Sequence, residues 1–307
     1  MALRRTEQRH PKADGIDLLP DEDVLARLAE SQLDAATSVR DALEPIARAA
    51  MLAAETIEKG GRLAYAAAGS SGLMALADAL ELPGTFGIAP ERIAVLIAGG
   101  AAALHTLAGG PEDDGDEAGR AVREAGLGPA DCLIAVTASG STPYALAALE
   151  EARARGVRTI AIANNAGTPA FGLADIPIVL ATPPEIVAGS TRMGAGTAQK
   201  IALNMLSTLM AIRLGHVHDG FMVNLKADNH KLQARATRIV ATIAGCGEDE
   251  AGALLDRAGG SVKIATLLAA GAASRAAAED LLEGSGWRLR PALSMLRGEA
   301  HARKHAT

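Results

Sequence analysis

Through the middle of the chain, short apolar runs alternate with stretches whose apolar positions recur every three to four residues. The runs at 62–67, 92–98, 131–137 and 157–163 are too short for helices and predict buried strands, with a fifth at 176–181. Between and after them, helical spacing predicts helices near 71–82, 115–126, 142–155 and 194–214. Strict alternation of this kind predicts a parallel sheet with helices on both faces. Ahead of it, residues 1–19 are polar and read as an extended arm. Asp21 reads as an N-cap, and helical patterns succeed it at 21–38 and 40–59, closed by Gly60-Gly61. The stretch 194–214 is apolar around most of its circumference, as in a buried helix or a subunit contact. Beyond Asn229 a helical pattern runs to Ala244. Gly245-Cys246-Gly247 breaks it, and glycine pairs at 259–260 and 284–286 punctuate the remainder of the chain. The expected organisation is therefore N-terminal helices over 1–58, the α/β domain over 59–236, a small helical module over 237–298, and a frayed tail over 299–307.

The segment Leu133–Gly156 carries the clearest chemical signal. A buried strand ends in Thr137-Ala138-Ser139-Gly140-Ser141-Thr142, and Pro143, suited to a first helical turn, opens the next helix. Several hydroxyls and exposed N–H groups thus gather where a strand's carboxyl end meets a helix's positive end, an arrangement that suits phosphate. A capped turn needs only one hydroxyl. A second small-residue turn, Gly69-Ser70-Ser71-Gly72, comes after the first strand. Ligands of such sheets lie beyond the carboxyl ends of the strands, where both turns fall.

Two carboxylates draw attention. Glu81 has Leu80, Leu82 and Pro83 as sequence neighbours, so partial burial and a raised pKa are expected, which suits a proton donor. Glu112 precedes Asp113 and Asp114 in a glycine-containing loop and reads as the more hydrated, ionised group, with its acidic neighbours able to push its pKa upward. Other motifs fail in detail. The dinucleotide spacing G-x-G-x-x-G and the hydrolase elbow G-x-S-x-G are both absent from these turns. His216-Val217-His218-Asp219 reads as a polar loop rather than a metal site, and His105 and His230 stand alone.

Composition narrows the classes further. The 307 residues are 49% hydrophobic and 21% charged, which fits a globular protein with ample core. A net charge of −6 without any basic block argues against nucleic acid and anionic membranes. No signal core or membrane-length apolar run is evident, and Cys132 and Cys246 lack CxxC spacing; the expectation is a reduced, cytoplasmic protein. Aromatic residues are only 2%, which favours close helix–sheet packing over a stacking surface.

In order along the chain, Thr6-Glu7-Gln8-Arg9, Ile16-Asp17-Leu18-Leu19, the turn at 69–72, the stretch 78–87 and Leu96-Ile97-Ala98-Gly99-Gly100 are family-like segments. They continue with 138–144, 189–200 (GSTRMGAGTAQK), Asn204-Met205-Leu206-Ser207-Thr208 and Asn229-His230-Lys231-Leu232. Together they resemble the N-acetylmuramic acid 6-phosphate etherases, which are built on the sugar-isomerase (SIS) domain and related to the glucokinase regulatory protein. The resemblance implies a five-stranded parallel SIS core, with N-terminal helices and a small ubiquitin-associated-like C-terminal module. It implies a lyase that removes D-lactate from the C3 ether of a 6-phosphorylated amino sugar, without metal or other cofactor. Glu81 matches the family's proton donor, and Glu112 its second catalytic carboxylate, assigned as the base at C2. Ser70, Ser71, Ser139, Ser141 and Thr142 would hold phosphate and sugar hydroxyls, with Ser190, Arg192 and Lys200 beside them. A homodimer is implied, with Asn229 and Lys231 reaching toward the neighbouring subunit's pocket. Leu73, Ser141 and Gly194 stand where the family usually has basic residues. Those departures leave open a lyase or isomerase for another amino-sugar phosphate, or a sugar-phosphate-binding regulator.

Overall fold

The computed structural model describes the backbone of residues 4–305 and the side chains through 298. Two helices lead in, α1 (Asp21–Thr37) and α2 (Leu43–Glu58). The α/β region then runs through β1 (Leu63–Ala67), α3 (Gly69–Phe86), β2 (Ile93–Ile97), α4 (Gly115–Glu124), β3 (Cys132–Thr137) and α5 (Pro143–Ala154). It continues through β4 (Arg158–Ala163), the short α6 (Pro169–Gly172), β5 (Ile176–Val179) and α7 (Gly194–Arg213). A hairpin of β6 (Val217–His218) and β7 (Phe221–Met222) comes next, then α8 (His230–Ala244), α9 (Glu248–Arg257), α10 (Val262–Ala269), α11 (Arg275–Gly284) and α12 (Leu289–His305).

The five main strands form one sheet in the order β2-β1-β3-β4-β5, every pair parallel. Strands β1 and β3 lie side by side at its centre, in register from Leu63 opposite Cys132 to Ala67 opposite Val136. All their residues are buried, which explains why they read as unbroken apolar runs rather than alternating ones. The chain leaves β1 toward β2 on one side and leaves β3 toward β4 on the other. The cleft between the carboxyl ends of β1 and β3 is therefore the topological switch point, where such sheets bind ligands.

Alanine makes the close packing possible. Ala64, Ala66, Ala135 and Ala161 on the strands pack in one core with Ala148, Leu149 and Ala152 of α5 and with Ala118 and Val122 of α4. At the opposite, amino-terminal edge of the strands, Asp131 accepts the Arg62 backbone N–H (2.8 Å) and pairs with its guanidinium (2.9 Å).

The chain divides into two compact units: the segment through Ala79 with Glu91–Leu209, and Leu80–Pro90 with the chain from Met210 onward. The second is built from α8–α12 around Val240, Ala251, Leu255, Ala265 and Leu282. Lys263 is buried there, its Nζ donating to the Trp287 carbonyl at 2.8 Å.

Several expectations need correction. The N-terminal arm is not extended: it forms single turns of 3-10 helix at Arg5–Glu7, Pro11–Ala13 and Ile16–Leu18, and buries Thr6 and His10. Pro20, not Asp21, caps α1, leaving Asp21, Glu22 and Asp23 in the first turn, where the helix dipole favours negative charge. Helix α3 starts two residues earlier than expected and passes through Pro83 to Phe86. The histidine-bearing stretch is a hairpin rather than a loop, turned by Asp219 and Gly220, both at positive φ. Helix α12 continues into the stretch read as tail, while residues 1–3 and 306–307 lie outside the described residues.

Candidate active site

The second serine turn is a closed ring of hydroxyls. Thr137 Oγ1 and Thr142 Oγ1 are 2.8 Å apart, and Ser139 Oγ lies 3.3 Å from Thr142 Oγ1. Ser139 Oγ also accepts from Ser141 N (3.2 Å) and Ser141 Oγ (3.3 Å), while Gly140 N donates to Thr137 Oγ1 (3.2 Å). None of these side chains caps α5, so the helix's first turn, opened by Pro143, keeps its outward N–H groups for another acceptor. Gly140 is required here. Its φ is +72°, and a Cβ would lie 2.5 Å from the Thr168 Cβ. The buried Thr168 hydroxyl makes no hydrogen bond.

The first serine turn opens α3 directly. Gly69 has a φ of +55°, Ser70 is half-buried and Ser71 is buried. Against it lies Glu112: a Cβ added to Gly69 would fall inside contact distance of Glu112 Oε1 and 3.3 Å from its Cδ. The structure thus brings the loop carboxylate onto the serine turn, a meeting that no local pattern announces. That loop is fastened at both sides. Pro111 packs on Gly99, where an added Cβ would sit 3.3 Å away, and Asp114 caps α4 by accepting Glu117 N (2.7 Å). The Glu117 carboxylate then accepts the Gly99 N–H at 3.1 Å.

Burial raises the Glu112 pKa, and Asp113 pushes it in the same direction. The expectation of a hydrated carboxylate is corrected accordingly: Glu112 is half-buried, its carboxylate set against Gly69. Glu81 is corrected the other way. Positions 75, 79, 82 and 86 form the buried face of α3, and Glu81 projects from another face, exposed, with Thr85 Oγ1 donating to it at 3.3 Å. Sequence neighbours are not spatial neighbours on a helix.

The turn before α7 carries Ser190 half-buried and Arg192 exposed, and Lys200 stands half-buried on α7 itself. The positive end of α7 is already occupied, because buried Glu185 accepts Gly194 N (2.9 Å) and Ala195 N (2.8 Å). A Cβ on Gly194 would meet Ala35 Cβ and Glu185 Oε2, each at 3.1 Å, so a lysine there would require α1 and Glu185 to give way. In the second unit, Asn229 is committed to capping α8 through Leu232 N (3.0 Å), and Lys231 is exposed. Sequence reasoning missed Glu117, Glu185 and a buried amide pair, in which Gln199 Nε2 donates to Asn164 Oδ1 at 2.9 Å. The bonds of Glu117 and of the amide pair span 18 and 35 positions, and those of Glu185 span 9 and 10.

An open groove of about 620 Å³ beside α4 and α5 is lined by Asp113, Asp114, Asp116 and Glu150, the wrong sign for a phosphate. Among the described residues no group of three or more His, Cys, Asp or Glu could hold a metal ion. Nor is any described helix long and apolar enough to cross a membrane.

A parallel 2-1-3-4-5 sheet with serine turns at its switch point defines the class: the SIS domain family model matches residues 30–164. Among solved structures, a phosphoheptose isomerase from Francisella tularensis aligns at TM-score 0.48 and 23% identity, covering 64% of this chain and 98% of that one. Full-length relatives are more specific. A protein from Deinococcus radiodurans named N-acetylmuramic acid 6-phosphate etherase is 45% identical over 97% of this chain and 97% of its own. One of the same name from Symbiobacterium thermophilum is 43% identical over 88% of this chain and 91% of its own. The chain belongs to the N-acetylmuramic acid 6-phosphate etherase family.

Proposed function

We propose that this protein is an N-acetylmuramic acid 6-phosphate etherase, a carbon–oxygen lyase that yields N-acetylglucosamine 6-phosphate and D-lactate. The observation that carries the reading is the family relationship over nearly the whole chain, joined to a carboxylate seated on the first serine turn at the switch point. In the open-chain sugar, the C2 proton lies α to the aldehyde. Glu112 takes that proton, electrons pass from C2 toward the C2–C3 bond, and the C3–O bond to lactate breaks. Glu81 gives a proton to the departing oxygen. Water then adds across the unsaturated aldehyde, its oxygen to C3 and a proton to C2, so that one water is consumed per lactate released. A raised pKa makes a carboxylate a stronger base, and the burial of Glu112 supports that role. Glu81 enters as proton donor by its match to the family.

Ser139, Ser141 and Thr142 with the α5 amides, and Ser70 and Ser71, are assigned to the phosphate and sugar hydroxyls; Ser190, Arg192 and Lys200 supply the remaining contacts and positive charge. The reaction as written calls for no metal. A homodimer in the cytoplasm completes the reading, with Asn229 and Lys231 directed at the partner's pocket. Exposed Leu73 and Leu80, two turns apart on α3, support burial of that face against a second copy.

The test is D-lactate release from N-acetylmuramic acid 6-phosphate, with and without EDTA. Lactate formed at equal rates in both supports the proposal. No lactate, with N-acetylglucosamine 6-phosphate or another hexosamine phosphate bound or isomerised instead, overturns it.

A further inference from the structure

Thr6 is 2% exposed, and all of its polar groups are used on two separate loops. Its N–H donates to Asn165 Oδ1 (3.4 Å), and its Oγ1 accepts from Asn165 Nδ2 (3.1 Å). Its carbonyl accepts the Gly189 N–H (3.2 Å). Asn165 Nδ2 has a second proton, which it donates to the Ala138 carbonyl (3.0 Å), the residue before Ser139. A continuous path therefore runs from the second serine turn through Asn165 and Thr6 to the turn that carries Ser190 and Arg192. The arm also presses on that turn: a Cβ at Gly189 would lie 3.3 Å from Glu7 Oε2. The single 3-10 turn Arg5–Glu7 holds Thr6 in place, with Glu7 N bonding Arg4 O (2.9 Å) and Gln8 N bonding Arg5 O (3.2 Å).

We propose that Thr6 is a positioning residue for phosphosugar binding, setting the spacing between the second serine turn and the 189–192 turn so that both engage one ligand. This rests on the assignment of those turns to the substrate. The physical reason is the cost of leaving Asn165 half-satisfied. Its amide group is buried, so losing the Thr6 acceptor leaves one Nδ2 proton unpaired and loosens the Nδ2 bond to the Ala138 carbonyl, leaving the Asn164 N–H (3.1 Å) to hold that carbonyl.

Thr6→Val replaces the hydroxyl with a methyl group, and Thr6→Ser keeps the hydroxyl; Thr6→Ala serves if valine does not fold. Two readouts are compared across the full-length variants. Backbone amide exchange at 138–142 and at 189–193 should quicken roughly threefold to tenfold in Thr6→Val, the worth of one hydrogen bond, and return to wild type in Thr6→Ser. The KM for N-acetylmuramic acid 6-phosphate should rise by a similar factor, about threefold to tenfold, with kcat within about twofold. Faster exchange confined to 189–193, or a lowered melting temperature with unchanged KM, makes Thr6 a local structural residue and overturns the proposal. If the wild type releases no lactate while exchange quickens at both turns and serine rescues it, the etherase reading fails and the positioning role stands.

Discussion

Replacing Gly69 with alanine separates the stability of the site from its chemistry. The residue sits at φ +55°, a left-handed conformation that costs an L-residue about 1–2 kcal/mol. The new methyl would stand 3.3 Å from Glu112 Cδ and closer still to Oε1, so the carboxylate must retreat by about 1 Å to reach ordinary contact. A half-buried glutamate can do so by rotating its terminal torsions, which adds little to the stability cost. Its effect on a general base is larger, because a displacement of about 1 Å can cost roughly a hundredfold in rate. The expected result in urea denaturation is a loss of about 1–2 kcal/mol with unchanged m-value. In the lactate assay, kcat should fall about a hundredfold with KM within a few-fold. A variant that loses stability as expected but keeps kcat within about threefold would refute the idea that Glu112 reacts from its seat on the serine turn.

Gly84, exposed on the same helix with no atom near an added Cβ, is the contrasting site: Gly84→Ala should stabilise by about 0.5–1 kcal/mol, visible as a raised melting temperature with unchanged activity. Ser139→Ala should weaken phosphosugar binding by about 1–3 kcal/mol in calorimetry, and equal affinity for phosphorylated and unphosphorylated sugars would contradict the phosphate assignment. Burial, with the Lys263 charge adding, holds His216 near 4, so this group's contribution is present above the unfolded value of about 6.5 and lost as pH falls toward 4. The swing is at most about 3 kcal/mol, and His216→Gln should flatten that part of the stability–pH curve.

The five strands are legible in the sequence because parallel central strands are buried on both faces and bounded by polar or glycine-bearing turns; observed and expected ends differ by at most two residues. The serine turns are legible for a similar reason, since four hydroxyls in six residues exceed what capping requires. Strand order is not, and with it goes the adjacency of β1 and β3 that puts the two turns side by side at the carboxyl edge of the sheet. Glu112 could not be placed on Gly69, because 43 positions separate them and the link is the sheet itself. The environment of Glu81 is misjudged when apolar sequence neighbours are taken for an apolar pocket, because the helical period turns them to different faces. The hairpin is within reach of the sequence: Asp219-Gly220 is a strong turn signal, masked by flanking histidines that draw attention to metal chemistry. The bonds from Thr6 to Asn165 and Gly189 have no signal of spacing at all.

The central claim is that Glu112 removes the C2 proton of N-acetylmuramic acid 6-phosphate and that this step opens the elimination of lactate. Mass spectrometry of substrate recovered from deuterated buffer tests it most directly, with Glu112→Gln and Glu81→Gln compared with the wild type. The account predicts no lactate and no deuterium at C2 in Glu112→Gln, since no carbanion forms without the base. In Glu81→Gln it predicts loss of lactate with some C2 exchange retained. Exchange that survives in Glu112→Gln and vanishes in Glu81→Gln would contradict the account by reversing the two roles.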